Sequence, residues 1–180
     1  MVQSWLFPVV IVVLAMLSPL AEAATPIPIA VGAIQSIGGE QNFCPSTTLQ
    51  RAIVKALSSN RTYQVEMLSP AVNQVGVQVT GTANCSLGMR QQQKGFLFFQ
   101  QQSAITTATV ELQLQLVNSS TGTTIATISE QGKAQLEAQT TPGQLLPVES
   151  NSEMLFEQAI AQALDTMLPK VNTALTQITL

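Results

Sequence analysis

The sequence predicts a two-layer α+β domain: a mostly antiparallel sheet that opens with a β-α-β unit, contains one long β-hairpin and carries two main helices on one face. Three patterns lead there. Between Ile105 and Leu136 two alternating runs flank the turn Asn118-Ser119-Ser120-Thr121-Gly122. In the first run Ala108, Val110, Leu112, Leu114 and Leu116 share one parity and Thr107, Thr109, Glu111, Gln113 and Gln115 the other, the mark of a strand with one dry and one wet face. Strand, helix and strand patterns precede this hairpin, and a long helical pattern follows it. The turn has Asn and Ser to bond their own backbone and a Gly for positive φ.

The first residues stand apart from the domain. Trp5 to Leu20 is apolar and uncharged, and Ala21-Glu22-Ala23 puts small residues at the two positions a signal peptidase reads. Residues 1–23 are therefore expected to be a secretory signal and residues 24–180 a single domain, exported to the periplasm or the cell surface. Met1-Val2-Gln3-Ser4 lacks the usual basic residue, and the alternative is an uncleaved anchor. Against it, Pro8 and Pro19 interrupt a run shorter than a spanning helix requires. No other stretch reads as a membrane span.

The elements follow in order. Thr25-Pro26-Ile27-Pro28 is an extended leader into a first strand, Ile29 to Ile34, whose nearly unbroken apolar run fits a strand covered on both sides. After Cys44-Pro45, Thr47 and Gln50 have capping-box spacing, and Leu49, Ala52, Ile53, Ala56 and Leu57 form one helical stripe with Arg51 and Lys55 outside it. Ser58-Ser59-Asn60 ends that helix, and Thr62 to Met67 is the next strand. If the two strands lie parallel in one sheet, the crossover is right-handed. A third strand, Gln74 to Cys85, alternates Val75, Val77, Val79, Ala83 and Cys85 with polar residues.

From Ser86 to Ser103 the alternation fails. Gln91, Gln92, Gln93 and Lys94 precede an apolar cluster, Phe96, Leu97, Phe98 and Phe99, and then Gln100, Gln101 and Gln102. Either this connection folds its aromatics back over the core, or it presents them to a partner. Beyond the hairpin, Pro142-Gly143 and Pro147 mark a link. Ser150 and Glu153 form a second capping box, opening a helix with Phe156, Ile160, Ala163, Leu164, Met167 and Val171 in one stripe. Pro169 is expected to kink or split it.

Composition excludes more than it assigns. Formal net charge is −3 with only 9% charged residues. Polarity comes from Gln, Thr, Ser and Asn, so no basic patch invites nucleic acid and recognition is expected to be short-range. There is no histidine, and Asp165 is the only aspartate. No Glu pair, nucleophile with a base, or Gly-rich phosphate loop appears, so neither an enzyme nor a nucleotide or other cofactor is expected. Two thiols without histidine or C-x-x-C spacing do not readily supply four zinc ligands, so no metal site is expected. In an oxidising compartment Cys44 and Cys85 are expected to pair; the alternative is two buried free thiols.

This order resembles a known family. A strand, a capped helix ending in Ala56-Leu57-Ser58-Ser59-Asn60, the short strand Tyr63-Gln64-Val65-Glu66 and a strand bearing Val79-Thr80-Gly81 look like the periplasmic domain of curli-assembly (CsgG-like) proteins. The hairpin carries the fullest match: Val110-Glu111-Leu112-Gln113-Leu114-Gln115-Leu116-Val117, then Ser120-Thr121-Gly122, then Ile125 to Gly132. The helix with Ala159-Ile160 and Ala163-Leu164 fits too. Lipoprotein activators of penicillin-binding proteins share this fold, which also resembles the amino-terminal domain of TolB-type proteins. The resemblance implies a soluble accessory or adaptor domain that binds an envelope protein. No Cys follows the cleavage site for a lipid anchor, and no aromatic-girdled lipid-facing hairpins are present for a pore. The expected partner surface is Gln91 to Gln102 or a sheet edge. The competing expectation is a self-assembling structural subunit, a homo-oligomer joined through the long hairpin.

Overall fold

The computed structural model describes residues 25–37, 44–68, 76–94, 101–140 and 149–178. Its elements are β1 (Ile27–Ile37), α1 (Ser46–Ser58), β2 (Tyr63–Met67), β3 (Val77–Lys94), β4 (Gln101–Asn118), β5 (Thr124–Thr140) and α2 (Glu149–Thr176). The expected signal at residues 1–23 lies outside the described residues.

The α+β class holds, but the sheet is mixed rather than mostly antiparallel. Its order is β2-β1-β3-β4-β5. β1 runs parallel to both β2 and β3, whereas β4 pairs antiparallel with β3 and β5. The reason lies in β1, whose apolar run places it inside the sheet, with Ile29, Ala30, Val31 and Ile34 all fully buried. Both of its neighbours are reached by crossovers, so both pairs are parallel. The sheet curls into a half-barrel.

One face of this sheet carries the core. Val79, Ala83 and Cys85 of β3, Ala108 to Leu116 on one parity of β4, and Ile128 and Ala134 of β5 pack against Leu49, Ile53 and Leu57 of α1. Nine residues of α2 complete it, from Leu155 and Phe156 to Leu175. At about 25 cal/mol per Å² of apolar surface, these buried side chains contribute most of the driving force for the fold.

Local signals were honoured unevenly. Asn118 accepts the Ser120 and Thr121 amides at 2.9 and 3.3 Å, and Gly122 takes φ 69°, so the hairpin turn forms as read. The capping box expected at Thr47 and Gln50 does not form. Pro45 is the N-cap of α1 and no side chain caps it; Gln50 instead donates to the Val31 carbonyl at 2.9 Å, tying α1 to β1. Ser150 lies inside α2 rather than at its cap. Pro169 does not split that helix, which runs unbroken to Thr176. Losing one helical bond costs about 3 kcal/mol, while burying Met167, Val171 and Leu175 on either side of Pro169 contributes roughly 1.5 to 3 kcal/mol each.

Tyr63 joins β2 to α2, its hydroxyl donating to Asn172 Oδ1 at 2.8 Å. Burial disfavours the phenolate and raises its pKa above the ordinary value of about 10. Unfolding then releases protons in alkali, so this contribution to stability is intact below about pH 10 and is lost as pH rises through the folded pKa. Tyr63 is the only tyrosine, so tyrosinate absorbance reads it alone. The titration is expected above the free-phenol value, and Tyr63→Phe is expected to cost about 1 kcal/mol at neutral pH by urea unfolding.

Candidate partner-binding edge

The segment expected to be irregular is the far half of a long ribbon. β3 continues to Lys94 and β4 begins at Gln101, in register from Val77↔Asn118 to Lys94↔Gln101. Gln91, Gln92, Gln93 and Lys94 thus lie on β3, and Gln101 and Gln102 open β4. Phe96, Phe98, Phe99 and Gln100 lie outside the described residues, and so does the choice between the two readings of that aromatic cluster.

This ribbon overhangs its neighbours. β1 ends its pairing at Ile37↔Asn84. From Cys85 onward, no described strand lies on that side of β3. Which groups face the gap follows from register. The Ser119 amide donates to its direct partner Gly76, so even-numbered residues of β3 bond β4 and odd-numbered ones turn their N–H and C=O the other way. Leu87, Met89 and Gln91 therefore offer donors and acceptors to the open edge. Met89 is 48% exposed, and Arg90, on the opposite parity, is exposed too.

The Cys44–Cys85 disulfide lies where this edge begins. It fastens the residue just ahead of α1 to the first residue of the β3 overhang. The other edges are guarded or short. On β5, Gln162 of α2 accepts the Lys133 amide at 2.8 Å, Lys170 pairs with Glu130, and the Gly132 Cα meets the Ala159 carbonyl of α2. β2 has only five residues.

The helix-free face carries a shallow groove of about 460 Å³ lined by Thr82, Asn84, Gln113, Ser129 and Gln131 around Glu111. Glu111 accepts from Asn84 Nδ2 at 3.4 Å and from Gln131 Nε2 at 3.0 Å. Glu130 lines the same groove and pairs with Lys170. Among the described residues no cluster of His, Cys, Asp or Glu could hold a metal, and no helix is long and apolar enough to cross a membrane. Asp165 sits exposed on α2.

The sequence reading stopped the third strand at Cys85 and so missed Leu87 and Met89. Their parity with Val77, Val79 and Cys85 was the available signal. It was masked by Arg90 and the Gln run, which break the apolar alternation.

No family model and no curated protein matches the chain. Solved structures do. A Helicobacter pylori protein described as a neuraminyllactose-binding hemagglutinin homolog superposes with a TM-score of 0.53 at 10% identity, over 89% of each chain. A Xanthomonas campestris protein of the DUF330 family matches with a TM-score of 0.49 at 13% identity, over 87% of this chain and 91% of its own. The rare lipoprotein B of Shewanella oneidensis matches at 0.42 and 13%, over 83% and 96%. These are not curli-assembly or penicillin-binding-protein-activator proteins, and the expected membership of that family is corrected accordingly. The residues behind it have a general cause: a helix stop before a strand and a residue tolerant of positive φ at a hairpin turn are common to many chains of unrelated function. What the first of these likenesses establishes is a shared fold.

Proposed function

We propose that this is an exported, non-enzymatic envelope protein that binds another protein by adding a strand to the open edge of β3. One observation carries the reading: Leu87, Met89 and Gln91 turn backbone donors and acceptors toward a side where no described strand pairs with them. Such an edge recognises an extended segment through main-chain bonds, with alternate side chains setting preference. The signal-like leader and the disulfide support an oxidising address outside the cytoplasm. The weak surface field supports recognition at contact rather than steering from a distance. The absence of histidine and the bonding of Glu111 by two side-chain amides support a non-catalytic role.

Proline tests the edge without dismantling the sheet. At Met89 or Gln91 it removes a donor that faces outward and leaves the bonds to β4 in place. The double variant Met89→Pro, Gln91→Pro is expected to retain its thermal unfolding midpoint within a few degrees, yet lose about tenfold or more in capture of a partner from envelope extract. Undiminished capture of the same protein would contradict strand addition. If the wild type instead forms long assemblies that the same prolines abolish, the edge joins copies of this chain and the structural-subunit reading takes precedence.

A further inference from the structure

The helical layer carries a second feature that the β3 edge does not use. Between α1 and α2 lies an open groove of about 590 Å³. Its floor includes Ala52 and Ala56 of α1 and Ala161 and Leu168 of α2, and small residues there permit a close approach by another helix. Its walls have opposite sign. Arg51 and Lys55 stand on the α1 side, Glu157 and Asp165 on the α2 side. All four are exposed, and none forms an ion pair among the described residues.

A further residue extends this floor. Met154, 43% exposed, lies seven residues before Ala161, which lies seven before Leu168. This spacing draws an outward apolar line along α2 beside the stripe of Phe156, Ile160, Ala163 and Met167 that serves the core. Met154 and Ala161 are exposed, and Leu168 is half-buried where the line meets the core.

We propose that a second copy of this chain docks on this layer, face to face about a two-fold axis running along the groove. That rotation lays each α1 over the other copy's α2. Arg51 and Lys55 of either copy then meet Glu157 and Asp165 of the other, and the contact is made twice. A surface positive on one half and negative on the other is complementary to itself under this operation and under few others. Because the four charges are exposed, they set register and selectivity; Met154, Leu168 and the alanine floor provide the attraction.

Charge exchange tests this directly on the purified protein, with mass in solution as the readout. The wild type is expected to be a dimer at elevated concentration. Arg51→Glu with Lys55→Glu makes both walls acidic, and Glu157→Lys with Asp165→Lys makes both basic; each double variant is expected to lose dimer affinity by about 100-fold or more. Mixing the two is expected to produce a one-to-one heterodimer, and combining all four changes in one chain to restore the homodimer. The Met89→Pro, Gln91→Pro protein, whose helical layer is untouched, is expected to dimerise as the wild type does. A wild type that stays monomeric at its highest soluble concentration, double variants that dimerise normally, a mixture that fails to associate, or loss of the dimer in the proline protein would each overturn the proposal.

Discussion

Replacing Gly132 with alanine is expected to be among the most damaging single changes in this protein. A Cβ there would lie 1.8 Å from the Ala159 carbonyl oxygen and 2.8 Å from the Ala163 amide nitrogen. Both are helix backbone, so no side chain can turn aside; α2 itself must lift from β5. That movement loosens Phe156, Ala159 and Ala163 together, all of them nearly inaccessible to solvent. Overpacking of this kind costs about 1 to 3 kcal/mol, and the upper end is expected because the obstacle is rigid. Urea unfolding checks it, with a lower midpoint at unchanged slope. Gly122 is the control. Nothing lies within 4 Å of a Cβ built at that position, and Gly122→Asn, which tolerates its positive φ, is expected to cost well under about 1 kcal/mol.

Breaking the Cys44–Cys85 bond is the second large effect. The two cysteines are 41 positions apart. In the chain-entropy description a loop of that length is worth about 3 to 4 kcal/mol, a large part of the roughly 5 to 15 kcal/mol that keeps a domain folded. Reduction, or Cys44→Ala with Cys85→Ala, is expected to lower the urea midpoint accordingly. Both sulfurs belong to buried residues, so alanine leaves little polar penalty and isolates the cross-link. A reduced protein as stable as the oxidised one would remove the reason for assigning the bond a structural role.

How much of this was legible depended on whether burial was one-sided. The hairpin read correctly because Val110, Leu112, Leu114 and Leu116 face α2 and its neighbours while Glu111, Gln113 and Gln115 face water. α1 was equally plain, since Leu49, Ile53 and Leu57 meet the sheet once per turn. The overhang of β3 was opaque for the same physical reason in reverse. Beyond Leu87, which still packs on the core, Met89, Arg90 and Gln91 are exposed in succession and the period of two disappears. The candidate edge therefore sat in the stretch where patterning was silent. The parallel pairing of β1 with β3 is also invisible locally, because register between strands distant in sequence is set by tertiary packing.

Turn and cap chemistry were unequal guides. Asn118 and Gly122 specified their turn, where nothing competes with the local bonds. Gln50 had a better offer: the Val31 carbonyl lies within reach, and the side chain bridges to β1 instead of closing a cap. At Pro169 the packing of α2 outweighed the local penalty. In both cases a tertiary contact worth about as much as the local preference, or more, determined the outcome.

The most direct test of the open β3 edge is residue-resolved amide hydrogen exchange in the isolated protein. The account predicts alternation along the overhang: Leu87, Met89 and Gln91 exchange rapidly, while Gly88, Arg90 and Gln92, bonded to β4, are protected. Slow exchange at Met89 and Gln91 as well would mean that the edge is already occupied within the molecule, and the strand-addition reading would fail.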